Sequence, residues 1–230
     1  MIDYNEQSKL FEAIGRILKR KIEVYLIGGS AMLFYNAKKA TKDIDIVTAS
    51  KPDFNELIDA LKKMGFYEKP PFINIKYNEV AVDKPKFMIL KDWRIDIFLN
   101  KIVCFVLTDT MKSRATQSHE YSNLIVKIIS PEDIILLKCA TEREGDRIDA
   151  KQLIDNYNIN WYTIIEEAGH QSRLGQDLFV VYLYDFLGEL KEDLKADIPL
   201  KVIREIRMIG EKAMIKLIKE KEDRRKRRGK

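Results

Sequence analysis

The stretch "IGGSAMLFYNAKKATKDIDIV", residues 27–47, opens on a Gly-Gly-Ser turn and closes on two aspartates inside an apolar run. Side chains two positions apart in a β-strand lie on the same face, so Asp43 and Asp45 share the face opposite Ile44. The apolar face can pack on helices, whereas two neighbouring carboxylates repel each other unless a cation lies between them. The stretch therefore predicts a strand with a cation site on one face.

A third carboxylate follows in "WRIDIFL", residues 93–99, where Asp96 also lies between isoleucines. Magnesium suits such a set because it prefers hard oxygen ligands and is often held by a few carboxylates together with substrate phosphates. We therefore expect Asp43, Asp45 and Asp96 to converge as ligands of a two-ion Mg²⁺ site, with Mn²⁺ as an alternative ion.

The glycines of the opening stretch indicate a phosphate site beside the metal. Gly28 and Gly29 let a phosphate approach the backbone closely, and Ser30 adds a hydroxyl at the point where a helix begins. Each feature also has an ordinary explanation, because such a turn can simply connect a strand to a helix, and Asp-x-Asp can lie on an exposed strand edge. Their order along the chain favours phosphoryl transfer.

These residues together resemble the nucleotidyltransferase fold of the DNA polymerase β superfamily: Gly28, Gly29, Ser30, Thr41, Asp43, Asp45 and Asp96. The resemblance implies that the glycine turn and Thr41 bind a nucleoside triphosphate. It also implies that the three aspartates bind the metal and that Asp96 is the base for an incoming hydroxyl. It further implies a minimal stand-alone enzyme, similar to bacterial and archaeal ones and to AbiEii-type toxins. It is clearest over residues 22–155.

A second block, "SPEDIILLKCATEREGDRIDAKQLID" at residues 130–155, resembles a segment of these small proteins that carries a helical lysine, an arginine and two spaced aspartates. Here those are Lys138, Arg143, Asp146 and Asp149. The resemblance implies that Lys138 and Asp146 bind nucleotide. Two plainer interpretations stay open, namely that Lys138 pairs with Glu142 four residues on, and that Asp146 caps the next helix.

The chain departs from its relatives before the first aspartate, where many of them carry arginine and this chain has Lys38 and Lys39. The charge is kept, but the bidentate fork of arginine is lost. Acceptor recognition is therefore left open, whereas metal binding is not. His119 and His170 have no ligand-like neighbours in sequence, which indicates ordinary packing or surface roles.

The expected fold class is α/β (α+β), with a nucleotidyltransferase-type mixed sheet packed on helices in residues 1–130 and an all-helical region in residues 131–230. The apolar patterns predict a helix over 6–20, strands over 22–29 and 41–49, a helix from Pro52 to Gly65, loop and irregular strand over 68–85, a hairpin over 86–100 turning at Lys91 and Asp92, and a strand over 123–130.

Charge is concentrated at residues 219–230, which hold eight basic and three acidic side chains, an excess equal to the net charge of +5 for the whole chain. Such a tail can bind RNA or another nucleic acid through phosphates. It can equally be a solvated helix end, where cations suit the helix dipole.

Location is indicated by three features. The longest apolar stretch, residues 178–184, is too short to span a membrane, and the first residues are too polar for a signal peptide. Cys104 and Cys139 have no CxxC spacing, which favours packing roles in a reducing compartment. We therefore expect a cytoplasmic protein without membrane contact, and the oligomeric state is left open.

Two functions of different classes follow. The first is an enzyme that moves a nucleoside monophosphate from a nucleoside triphosphate to a hydroxyl of RNA, protein or a small molecule. The second is a catalytically silent protein that keeps the fold and binds nucleic acid or a partner. The three aspartates favour the enzyme, because a silent relative has no need of carboxylates in that arrangement.

Overall fold

The computed structural model describes residues 1–70 and 85–228 and divides into two compact units. The first comprises Met1–Ile102 and Leu107–Ser130, and the second comprises Val103–Val106 and Pro131–Lys230. The first unit holds a mixed sheet with helices, and the part of the second that follows residue 130 is helical. The predicted fold class is therefore confirmed.

The described elements follow one another as α1 (Tyr4–Ile17), β1 (Ile22–Ile27), α2 (Gly28–Phe34), β2 (Ile44–Thr48), α3 (Lys51–Lys63), β3 (Tyr67–Lys69), β4 (Lys86–Leu90), β5 (Trp93–Leu99), β6 (Lys101–Ile102), β7 (Phe105–Val106), α4 (Asp109–Arg114), β8 (Gln117–Tyr121), β9 (Leu124–Ile128), α5 (Pro131–Lys138), α6 (Glu144–Asn156), α7 (Trp161–Arg173), α8 (Asp177–Glu192) and α9 (Leu200–Arg228).

The sheet of the first unit has the strand order β3-β4-β5-β2-β1-β9-β8 within the described ranges. Strand β1 pairs antiparallel with β2 and parallel with β9, and β2 pairs parallel with β5. The central strands are apolar on both faces over most of their length, as buried strands require, and Val24, Leu26, Ile44 and Ile46 are completely buried.

Capping interactions place several helix boundaries earlier than the periodicity predicts. Helix α1 begins at Tyr4 because Asp3 and Glu6 form a capping box, in which each side chain accepts a hydrogen bond from the backbone of the other. Helix α3 begins at Lys51, since Ser50 caps it by accepting from the backbone N–H of Asp53.

Strand boundaries are also shorter than predicted at both ends of the opening stretch. Strand β1 ends at Ile27, because Gly28 has a φ of +61° and starts α2. Strand β2 begins at Ile44, so Asp43 lies immediately before it. The hairpin of β4 and β5 is confirmed, with Lys91 in the left-handed region at its turn.

Two segments show where the sequence pattern was insufficient. Strand β8, at an edge of the sheet, was not predicted, because its alternation of half-buried and exposed positions runs through polar residues. Of the predicted loop over 68–85, the first two residues belong to β3, and residues 71–84 lie outside the described ranges.

The second unit is held by apolar helix packing and by ion pairs between helices. The rings of Phe105 and Phe179 lie 4.2 Å apart between centroids. Lys216 of α9 donates to Asp177 at the start of α8 at 3.0 Å. Among the described residues, no helix is both long and apolar enough to cross a membrane.

Candidate active site

The two strands that carry the predicted carboxylates, β2 and β5, are neighbours in the sheet. They run parallel, with Asp45 directly opposite Asp96. Register partners on neighbouring strands project from the same face, so these two carboxylates lie side by side. Asp43, just before β2, and Asp45 are half-buried, whereas Asp96 is buried.

Arg94 forms two hydrogen bonds with Asp96 in a fork-like pair. Its Nε donates to Oδ1 at 2.8 Å and its Nη2 donates to Oδ2 at 2.6 Å. The guanidinium also lies over the ring of Phe87 on β4, 5.3 Å from the centroid. We call Asp43, Asp45, Asp96 and Arg94 the strand cluster. Arg94 was missed in the sequence, although its position two residues before Asp96 places both on one face of β5.

Electrostatics show that all three carboxylates act on Arg94. The hydrogen bond to Asp96 raises the pKa of the Arg94 guanidinium, and burial opposes that shift. The negative charges of Asp96, Asp43 and Asp45 raise the same pKa further. In this structure, the cation expected among the carboxylates is therefore the guanidinium of Arg94.

The chemistry of the strand cluster suits magnesium, because it offers three carboxylates as hard oxygen donors. Over residues 1–70 and 85–228, however, no three His, Cys, Asp or Glu side chains stand in an arrangement that can hold a metal ion. Both oxygens of Asp96 are instead engaged by Arg94. A divalent ion would need Arg94 to release Asp96, and the metal site stays a prediction.

The glycine turn lies against the carboxylates because Ile27, the last residue of β1, is opposite Asp45. A β-carbon on Gly28 would stand 2.6 Å from Oδ2 of Asp45, and the positive φ of Gly28 also favours glycine. A β-carbon on Gly29 would stand 2.9 Å from Oγ1 of Thr41. The structure thus brings both ends of the opening stretch together.

Ser30 and Thr41 tie this turn to its surroundings. Ser30 is fully buried, and its hydroxyl donates to the carbonyl of Ile27 at 2.8 Å and accepts from the backbone N–H of Asp45 at 3.2 Å. Oγ1 of Thr41 donates to the carbonyl of Asp43 at 3.1 Å. The hydroxyl proton of Ser30 is therefore used within the protein, and the predicted contact of Ser30 with phosphate stays a prediction.

Lys138 and Asp146 lie in the second unit and meet each other. Nζ of Lys138 donates to Oδ1 of Asp146 at 2.5 Å and to Oδ2 of Asp149 at 2.6 Å. All three side chains are buried. The interpretation that Lys138 pairs with Glu142 is therefore wrong, because the two buried aspartates of α6 bind its ammonium. Glu142 is exposed.

Asp146 does not cap α6, because the N-cap residue is Arg143, and Asp146 lies in the first turn. Its Oδ2 accepts from Nε of Arg143 at 2.9 Å and from the hydroxyl of Thr141. Burial alone would raise the pKa of Asp146, but the charge and hydrogen bond of Lys138, aided by Thr141, outweigh it and hold that pKa below its ordinary value. We call Lys138, Arg143, Asp146 and Asp149 the helix cluster.

The histidines and cysteines take the packing and surface positions that were expected of them. The ring of His119 packs on Phe34 at 4.7 Å between centroids, and burial lowers its pKa. Cys139 is buried and Cys104 half-buried, both as free thiols.

Comparisons with known proteins give one family match and a weak structural likeness. No curated protein matches this sequence significantly. Among solved structures, one match is the crystal structure of an antigenic nucleotidyltransferase-like protein from Paracoccidioides brasiliensis, with 16% sequence identity and a TM-score of 0.39 over 67% of this chain and 78% of that chain. A family model described as "Nucleotidyltransferase of unknown function (DUF6036)" matches residues 7–173. This chain therefore belongs to that nucleotidyltransferase family.

Proposed function

We propose that this protein transfers a nucleoside monophosphate from a nucleoside triphosphate, with ATP as one candidate, to a hydroxyl acceptor in a magnesium-dependent reaction. The observation that carries the proposal is the pairing of Asp45 with Asp96 beside the Gly28 and Gly29 turn, in a chain of a nucleotidyltransferase family. Carboxylates next to a glycine turn with a half-exposed backbone suit a metal-bound triphosphate.

Each carboxylate has its own part in the proposed reaction. Asp43 and Asp45 would hold magnesium against the triphosphate, and magnesium, when bound, neutralises phosphate charge and favours ionisation of the attacking hydroxyl. Asp96 would accept the proton of that hydroxyl as its oxygen bonds to the α-phosphorus and pyrophosphate leaves. Asp96 can do so only after Arg94 has released it, and the freed guanidinium then becomes a cation for the phosphates.

The proposal extends to subtype, place and acceptor. The protein would be a minimal stand-alone enzyme of the AbiEii-toxin-like kind that acts in the cytoplasm. Support for the subtype comes from the two sequence blocks, and support for RNA as the acceptor comes from the basic residues 219–230.

The function is tested by incubating the protein with each labelled nucleoside triphosphate, magnesium and a cell extract, and by identifying the molecule that becomes labelled. Asp96→Asn should lower single-turnover transfer by at least about 100-fold, the scale of losing one preorganised electrostatic group. Triphosphate affinity, measured by calorimetry, should change by less than about tenfold, because Asp43 and Asp45 remain. Asp45→Asn should weaken both.

Asp92→Asn is the matched control, since Asp92 is an exposed aspartate of the same hairpin. It should leave transfer and affinity unchanged. Transfer at the wild-type rate by Asp96→Asn would show that the assigned base is wrong. Failure of the unmodified protein to label any acceptor would favour the silent binding protein.

The nucleic-acid contact is tested by deleting residues 224–230 and titrating a single-stranded RNA oligonucleotide at several salt concentrations. If the tail neutralises about three phosphates, binding should weaken by about 40-fold between roughly 50 and 200 mM salt. The deletion should flatten this dependence, whereas Lys201→Ala, an exposed change in the first turn of α9, should not. An unchanged slope after the deletion would make the tail a solvated helix end.

A further inference from the structure

The loop between α2 and β2 carries a cation over the glycine turn. Nζ of Lys38 lies 3.6 Å from the place that a β-carbon would take on Gly29, and Oγ1 of Thr41 lies 2.9 Å from the same place. The Lys38 side chain is half-buried, and the Gly29 backbone is half-exposed. An ammonium, a hydroxyl and an accessible backbone therefore meet at one point.

The position of Lys38 is fixed from both sides. The backbone N–H of Ala37 donates to the carbonyl of Met32 at 3.0 Å, which anchors the start of the loop to α2. At its other end, Thr41 pairs with Ile2 through two backbone hydrogen bonds of 2.7 and 2.8 Å. The loop is therefore held at Ala37 and at Thr41, with Lys38 between them.

Other groups of the turn are less able to bind a polyanion. The buried hydroxyl of Ser30 donates its proton to Ile27. Next to it, Asp45 lies against Gly28 and is itself negatively charged. A triphosphate laid along the turn would therefore meet the carboxylate of Asp45 at Gly28 and the ammonium of Lys38 at Gly29.

We propose that Lys38 binds the β- and γ-phosphates of the nucleoside triphosphate, the part that leaves as pyrophosphate, above the backbone of Gly29. This inference rests on the proposed function and assigns to the loop before Asp43 a contact with the triphosphate, whereas recognition of the acceptor is a separate question. Charge-assisted hydrogen bonds of an ammonium to phosphate are strong, so Lys38 would select triphosphates over monophosphates. Lys39, the neighbouring lysine of the same loop, is exposed, which makes it a matched control.

The experiment titrates inorganic tripolyphosphate, ATP and AMP in magnesium by calorimetry into the wild type and three variants. Lys38→Ala should weaken tripolyphosphate and ATP binding by about tenfold or more, the loss of one hydrogen bond to a charged group. AMP affinity should stay within about twofold, because AMP lacks the contacted phosphates. Lys38→Arg should recover most of the affinity, and Lys39→Ala should match the wild type.

Equal effects of Lys38→Ala and Lys39→Ala would overturn the inference, as would equal weakening of ATP and AMP. Absence of tripolyphosphate and ATP binding by the wild type would overturn it as well. Binding is measured without an acceptor, so this result is separate from the transfer assay. A wild type that binds ATP through Lys38 but labels no acceptor would contradict the proposed function alone.

Discussion

The strand cluster and the helix cluster both join aspartates to a cation, but they differ in access to solvent. In the helix cluster, the side chains of Lys138 and its two carboxylate partners are each exposed by less than a tenth, at 6%, 7% and 9%. In the strand cluster, Asp96 is 8% exposed, but the Arg94 side chain is 47% exposed, and Asp43 and Asp45 are half-buried. The helix cluster is therefore closed around Lys138, with Arg143, 70% exposed, at its edge, and the strand cluster is open on the side of Arg94.

The two clusters also differ in their balance of positive and negative side chains. The helix cluster sets two cations against two carboxylates, whereas the strand cluster, as defined above, sets one guanidinium against three carboxylates. A closed, balanced cluster stabilises its unit because opening it would leave buried charge. An open cluster with excess negative charge can exchange its cation, as a substrate site must.

The largest effect should come from breaking the closed cluster. Lys138→Met keeps most of the side-chain length but leaves Asp146 and Asp149 buried without the ammonium, which should lower the free energy of unfolding by about 3–5 kcal/mol. Denaturant unfolding measures this loss. The control is Lys151→Met, which removes an exposed pair with Asp155 on the same helix and should cost no more than about 0.5 kcal/mol. Equal losses would show that the helix cluster is not closed in solution.

The stability lost in Lys138→Met should depend on pH in a defined direction. The pKa of Asp146 lies below its ordinary value in the folded protein, so its ion pair stabilises fully above the unfolded pKa of about 4 and is lost as pH falls through the folded pKa. Without Lys138, burial should make the carboxyl of Asp146 take up a proton more readily. The stability difference between the wild type and Lys138→Met should therefore be largest near neutral pH and shrink in acid.

Melting temperatures of both proteins at pH 7, 5 and 4 measure this difference. A difference that stays constant across the series would mean that the lost stability comes from side-chain packing and not from charge.

The sequence names all four residues of the helix cluster and three of the four in the strand cluster, but only in the strand cluster does it indicate which side chains share a face. Alternation along a strand fixes the face of Asp45 and of Asp96, and their resemblance to a known pattern suggested neighbouring strands. The same alternation places Arg94 on the face of β5 that carries Asp96. Its role was missed because the expected cation was a bound metal ion and not a side chain. The partners of Lys138 lie eight and eleven residues on, across the turn between α5 and α6. The spacing rule for a single helix favoured Glu142 and could not anticipate that turn.

The smallest effect on stability should come from opening the strand cluster. The same change should increase the stabilisation of the protein by added magnesium. Arg94→Met removes a partner that is 47% exposed from Asp96, which is 8% exposed, so the free energy of unfolding should fall by about 1–2 kcal/mol, between the losses for surface pairs and for buried pairs. The three carboxylates then lose a shared cation and repel one another more. Magnesium, in the absence of nucleotide, should relieve that repulsion and raise the melting temperature of Arg94→Met more than that of the wild type.

The control for this variant is Lys86→Met on the adjacent strand, which removes a surface pair with Glu68 and should leave the magnesium response unchanged. An equal response in all three proteins would mean that the carboxylates do not form a divalent cation site once the guanidinium has gone. A loss of about 3 kcal/mol or more in Arg94→Met would instead show that the strand cluster is shielded from solvent like the helix cluster, because only a desolvated pair is that costly to break. Both clusters would then be buried ion pairs, and access to solvent could no longer identify which of them binds substrate.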